Sequence, residues 1–235
     1  MWLVVGLGNP DARYRGTRHN VGFEIAEALA ERAGITLSEK KFKARMARGR
    51  LGSAEVVILE PQTYMNLSGE SVGPAMGFYK LTTEQVVVVH DDLELELGRM
   101  KLRRGGGHSG HNGLRSLVQH LPDAEFVRVR IGIGRPPSGW DPADYVLGKF
   151  TPDERALVEP VLARATDAVE TVVKEGLTRA LNRFNRDPQE GRGSKKDDAA
   201  GASESERQGR RSDAAEDAEV EPSSREKERG NGQHA

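Results

Sequence analysis

The chain has 235 residues, with 35 Lys or Arg against 36 Asp or Glu and no cysteine. That near-neutral balance excludes a polyanion-binding surface spread over the whole molecule, and the missing thiols exclude disulfides, a cysteine nucleophile and Cys-ligated zinc. The apolar start Met1–Leu7 is too short for a signal peptide, and no later run approaches the ~20 apolar residues of a membrane span, so a soluble cytoplasmic protein is expected.

In chain order, WLVVGL (Trp2–Leu7) is a short apolar run stopped by Gly8-Asn9-Pro10, which suits a buried strand. VGFEIAEALAERAG places Phe23, Ile25, Ala26, Leu29 and Ala30 near helical spacing, with Gly34 as a stop. KFKARMARGRL (Lys41–Leu51) reads as an outer strand and EVVILEP (Glu55–Pro61) as a buried one, and a helix can start at Asn66 in NLSGESVGPAMGFYKL. QVVVVHDD is the clearest strand, because four consecutive valines suit a sheet buried on both faces. GRMKLRR and EFVRVRIGIG alternate in polarity, with the short helix HNGLRSLVQHL between them after a glycine-rich loop. From Thr151 to Phe184 an apolar stripe marks one long amphipathic helix. Strands interleaved with helices give an α/β fold: a single domain with a mixed, mostly parallel sheet flanked by helices.

Composition changes at Pro188. Beyond it Val220 is the one residue among Val, Ile, Leu, Met, Phe, Trp, Tyr and Cys, in a segment of 9 Lys or Arg and 12 Asp or Glu. Such a segment cannot offset its ordering entropy by burial, so residues 1–187 are expected to form the domain and 188–235 a disordered charged tail. The domain then carries a net charge of +2, and any anion must meet locally clustered base.

In parallel sheets ligands bind beyond the carboxyl ends of strands. The polar residues there are Asn9, PQTYMN (Pro61–Asn66), HDD (His90–Asp92) and GGGHSGHNG (Gly105–Gly113), segments able to converge on one rim. Three rival motifs compete with that rim. GLGNPD begins like a dinucleotide fingerprint, but the third glycine would fall at Asp11 and Pro10 opposes the turn into a helix. GESVG (Gly69–Gly73) matches G-x-S-x-G, with Ser71, Asp91 or Asp92, and His108 or His111 in hydrolase order. Its elbow needs a strand running into the first glycine, whereas EVVILE ends about nine residues earlier. HSGH with His90 and Asp91 offers metal ligands, on a glycine loop that gives them little support. Plainer readings also stand: His19 as a surface turn residue, Asp91 and Asp92 as a turn, Asn9 as a left-handed turn residue, Asn66 and Asn112 as helix caps.

VVGLGNP, YRGTRHNVGF, PQTYMNLSGESV, VVVHDDLELELGRMKLRRGGGHSGHNGLRSL and RVRIGIGRP together resemble the bacterial peptidyl-tRNA hydrolases, over Trp2 to about Phe184. The resemblance implies cleavage of the ester between a peptide and the terminal ribose of its tRNA, with His19 as general base on water and Asp91 as its partner. It assigns Asn9, Asn66 and Asn112 to the peptide and the reacting carbonyl, Tyr14, Tyr64 and Met65 to further substrate contacts, and Lys101, Arg103 and Arg130 to tRNA phosphate. Arg103 stands where the family often has Lys, which keeps the charge and alters the contact geometry. No cofactor and no metal are implied; the partner is tRNA, the expected state is a monomer, and contact with the ribosome stays open.

The residue chemistry agrees. Without a thiol or a credible nucleophilic serine, an ester is opened by activated water, for which a histidine near pKa ~6.5 is the natural base. A carboxylate on its other nitrogen fixes the tautomer, and asparagines offer neutral donors to an oxyanion and to peptide backbone.

Overall fold

The computed structural model describes residues 1–186, so the segment expected as a tail lies outside the described residues. Seven strands form one sheet: β1 (Trp2–Gly6), β2 (Glu39–Lys41), β3 (Ala44–Leu51), β4 (Ala54–Pro61), β5 (Val86–Asp92), β6 (Met100–Arg104) and β7 (Val127–Gly132), in the order β2-β3-β4-β1-β5-β7-β6. The four central strands β4, β1, β5 and β7 are mutually parallel, and β2, β3 and β6 join antiparallel at the edges. Period-two alternation splits the core cleanly. Val4, Ile58, Val87 and Val89 pack with helices α1 (Val21–Arg32), α5 (Pro152–Glu175) and α6 (Leu177–Phe184). Leu3, Val5, Leu59, Val86 and Val88 pack on the other side with α2 (Gly69–Phe78) and α3 (Asn112–His120). The sheet is therefore the middle of three layers, as the four valines require.

Two elements differ from the sequence reading. The stripe expected as one helix over 151–184 is two, because Gly176 takes φ 89° and ends α5 before α6 begins. The outer strand expected over 41–51 is a hairpin, β2 and β3, turned by Phe42 and Lys43 at φ 55° and 53°. Neither residue favours that conformation; the Phe42 ring, 5.4 Å from Phe78 and 6.2 Å from Tyr79, holds the turn against α2. A short helix α4 (Pro142–Leu147) also stands where the sequence reading placed no element.

What positions the site is a backbone-to-backbone contact at the sheet centre. A Cβ on Gly22 would lie 2.4 Å from Leu7 O and 2.6 Å from Val89 O, and one on Gly6 only 2.2 Å from Gly22 O. With no side chain between them, the first turn of α1 rests directly on β1 and β5. Gly22→Ala should lower stability by about 1–3 kcal/mol or more, a fall in Tm of roughly 3–10 °C by thermal unfolding. Gly77→Ala, in the last turn of α2 where a Cβ meets nothing within 4 Å, should instead raise it, by up to about 0.5–1 kcal/mol.

Candidate active site

The strand ends of β1, β4 and β5 open on one rim, and side chains tie the loops there to one another. Asn9 and Asn20 exchange hydrogen bonds, Asn9 N to Asn20 Oδ1 and Asn20 Nδ2 to Asn9 O, each at 2.9 Å. Asn9 Oδ1 then accepts the Met65 N–H at 2.9 Å, which leaves its Nδ2 for a ligand. The buried Met65 sulfur sits against Gly113 at the start of α3, where a Cβ would come within 2.6 Å of it. Gly69 N donates to Ser116 Oγ at 2.9 Å and closes the same contact further along. These links bring Asn9, Asn66 and Asn112 onto adjoining turns.

Asp91, at the end of β5, is 2% exposed and lies between two histidines. His19, in the turn that leads into α1, places Nδ1 2.9 Å from both of its carboxylate oxygens. His111 places Nε2 3.0 Å from Oδ1. The tautomers follow from the surroundings. His111 caps α3, its Nδ1 accepting from Gly113 N and Leu114 N at 3.1 and 3.3 Å, so its proton must lie on Nε2, aimed at Asp91. An ionised Asp91 is an acceptor only, so His19 likewise gives it the Nδ1 proton and keeps a lone pair on Nε2. Burial alone would push the Asp91 carboxyl up, but the charges and hydrogen bonds of His19 and His111 hold it well below the usual carboxylate range. Burial works against a charged His19, yet Asp91 raises its pKa above the usual 6.5. His90, fully buried beside the His111 ring at 5.1 Å, is pushed down to about 3 by burial and by His111, and stays neutral.

Of the plainer readings, the turn holds for Asp92, whose Oδ1 accepts from Glu94 N at 2.9 Å, whereas Asp91 lies within β5 and the others fail on geometry. His19 is 8% exposed and is no surface residue. Asn9 is not among the residues with left-handed backbone. His111, not Asn112, caps α3, and Asn66 lies in a single turn ahead of α2. Ser71 is buried within α2, its hydroxyl bonded to nothing, with seven residues of loop and turn between β4 and that helix instead of a nucleophile elbow. His19, Asp91 and His111 do bring three ligand-type atoms within 4.8 Å of one another. For His111 to bind a metal through Nε2 it would have to give up either its proton there or its cap on α3.

A cleft of about 380 Å³ runs from His19 and Asp91 past Asn112 to Arg103, Arg128 and Arg130. Arg130 pairs with Asp92 at 2.7 Å, and the buried Arg128 donates to the carbonyls of Gly106 and Gly107, fixing the glycine-rich loop. Burial, then Arg103 and Arg130, push the Arg128 guanidinium down to about 10. Of the other expected contacts, Lys101 faces Arg130 in register but lines a separate hollow with Arg164 and Arg186. Asn9 lines a third hollow, of about 280 Å³, with Gln62 and Arg45. Tyr64 is 48% exposed with its hydroxyl 3.0 Å from Asp11, and Tyr14 is half-buried beneath Arg13.

Three contributors escape a reading by spacing. His111 carries a visible signal, a histidine immediately before a helix start. Arg128 and Arg18 carry none. Arg18, 6% exposed, grips Glu154 with one nitrogen at 2.7 and 2.9 Å, donates to Lys149 O at 2.9 Å, and stacks on the Tyr145 ring.

Comparison with known proteins identifies the family. The family model described as peptidyl-tRNA hydrolase matches residues 3–192. The chain is 53% identical over 186 residues to a peptidyl-tRNA hydrolase of Anaeromyxobacter sp. (strain K), covering 79% of this chain and 97% of the relative. It is 50% identical to that of Chloroflexus aggregans, with 79% and 99% covered. The crystal structure of peptidyl-tRNA hydrolase from Acinetobacter baumannii superposes with a TM-score of 0.75 at 42% identity, over 79% of this chain and 94% of that one. Matches of that identity and coverage, on a chain whose loops converge as described, place it in the peptidyl-tRNA hydrolase family.

Proposed function

We propose that the chain hydrolyses the ester joining a peptide to the terminal ribose of its tRNA, using water that His19 activates. The observation that carries this reading is the 2.9 Å contact of His19 Nδ1 with the Asp91 carboxylate, from which it follows that Nε2 keeps its lone pair for the cleft. In the proposed reaction Nε2 takes a proton from water as its oxygen attacks the ester carbonyl. The resulting imidazolium, stabilised by Asp91, returns the proton to the ribose oxygen as the carbon–oxygen bond breaks, leaving a free ribose hydroxyl and a peptide carboxylic acid that releases water's second proton to solvent. Asn9, Asn66 and Asn112 supply donors to the oxyanion and to the peptide main chain, so no particular side chain is required. Tyr14, Tyr64 and Met65 flank the peptide. Arg103 and Arg130, with Lys101 further out, meet phosphate. The catalytic unit is the 1–187 domain, acting as a monomer.

His19→Ala should lower kcat/KM by at least about 10³-fold in hydrolysis of N-blocked aminoacyl-tRNA while deacylated tRNA binds within a few-fold of wild type. Full activity in that variant overturns the assignment. Wild-type turnover should favour the blocked over the free aminoacyl ester and persist in EDTA; a fluorophosphonate probe should leave Ser71 unlabelled.

The pH profile has a definite sign. Only neutral imidazole accepts the proton, so kcat/KM should rise with pH and level off above the His19 pKa, which burial lowers but Asp91 raises past 6.5. Asp91→Asn should move that limb to lower pH and reduce kcat about 10²- to 10⁴-fold, because an amide donor at Nδ1 forces the proton onto Nε2. An unshifted limb in that variant rules out the pairing as its cause.

A further inference from the structure

The cleft has two chemically unlike walls. Arg103, Arg128 and Arg130, from β6 and β7, make one of them basic. Another is α4, which presents Pro142, Ala143 and Val146, contains no basic residue, and begins with Asp141 and Asp144. One residue before Asp141 stands Trp140, 60% exposed. It is one of two tryptophans in the chain; the other, Trp2, is partly buried against the core. A turn fixes its backbone, Gly139 at φ 86° and the Trp140 N–H donating to Pro137 O at 3.1 Å.

We infer that Trp140 is a stacking platform for a nucleobase in the 3′-terminal nucleotides of the tRNA, an inference that rests on the function proposed above. A nucleotide strand is itself two-sided, with anionic phosphate along one side and flat bases on the other. The arginine wall takes the phosphates. The carboxylate of Asp141, which lines the cleft, repels them, so the strand turns its bases toward α4, where a large exposed ring offers a π-face.

The platform is also held at a fixed place relative to the reacting atoms. The backbone N–H of Arg18, the neighbour of His19, donates to Gly148 O at 3.0 Å and its guanidinium donates to Lys149 O, both just beyond α4, while that guanidinium lies 4.2 Å from the centre of the Tyr145 ring within α4. Asp141 caps the helix through the Ala143 N–H at 2.8 Å. A base stacked on Trp140 therefore sets how far the terminal ribose reaches toward His19.

The test uses the intact protein and intrinsic fluorescence. Deacylated tRNA should quench tryptophan emission, and tRNA lacking its three 3′-terminal nucleotides should bind without that quenching. Trp140→Phe, which keeps a stacking ring but leaves Trp2 as the only emitter, should bind intact tRNA without the change. In hydrolysis of N-blocked aminoacyl-tRNA, Trp140→Ala should raise KM about 5- to 100-fold with kcat nearly unchanged, and Trp140→Phe should restore most of the loss. Equal quenching by intact and truncated tRNA, no quenching by either, or an unchanged KM in Trp140→Ala overturns the inference. Wild-type turnover in the same assay reports separately on the proposed activity.

Discussion

A carboxylate taken out of water at the centre of a sheet needs its oxygens met by donors, and in this protein that requirement organises everything near it. Asp91 is met by His19 from the turn before α1 and by His111 from the cap of α3. These two helices lie on opposite faces of the sheet. One buried charge therefore fixes the approach of both layers, and each histidine is oriented by a bond that also determines where its proton resides. The close contact of Gly6 and Gly22 is what makes this reachable: with a side chain at either glycine, the turn carrying His19 would be held away from β5.

Charge is distributed around this centre with little redundancy. His90 is kept neutral behind His111, so the two imidazoles that face Asp91 are the donors available to it. Arg128 is committed to the carbonyls of Gly106 and Gly107, and Arg130 to Asp92, which leaves Arg103 as the most exposed guanidinium of the three. Such a small concentration of base suits the function proposed above, in which one end of a polyanion is oriented and not its whole length coated.

The central strands were legible because burial on both faces forces an unambiguous pattern: the four valines of β5 divide two and two between the core layers. The polar residues after the parallel strands were legible as a rim, and the resemblance supplied their roles. What escaped has specific causes. The turn at Phe42 and Lys43 has neither glycine nor asparagine and depends on α2, some 35 residues away in sequence, so local propensity argues against it. The break at Gly176 is a single glycine inside an apolar stripe that continues in phase on both sides. Asp141-Pro142 does carry a helix-start signal, in a helix too short for periodicity to register. Arg18 looks like any surface arginine until its partner Glu154, 136 residues away, is placed beside it.

That last contact links the chemistry to the cooperativity of the whole domain. Glu154 is simultaneously the N3 residue of the capping box that starts α5, its Oε2 accepting from the Thr151 N–H at 2.7 Å while Arg18 donates to both of its carboxylate oxygens. The longest helix of the domain is thus nucleated against the residue next to His19. Opening that turn locally means uncapping α5 and exposing a guanidinium sandwiched by Tyr145 and Phe150. The turn is thereby coupled to the start of α5, so that a local opening of either gives up contacts of both.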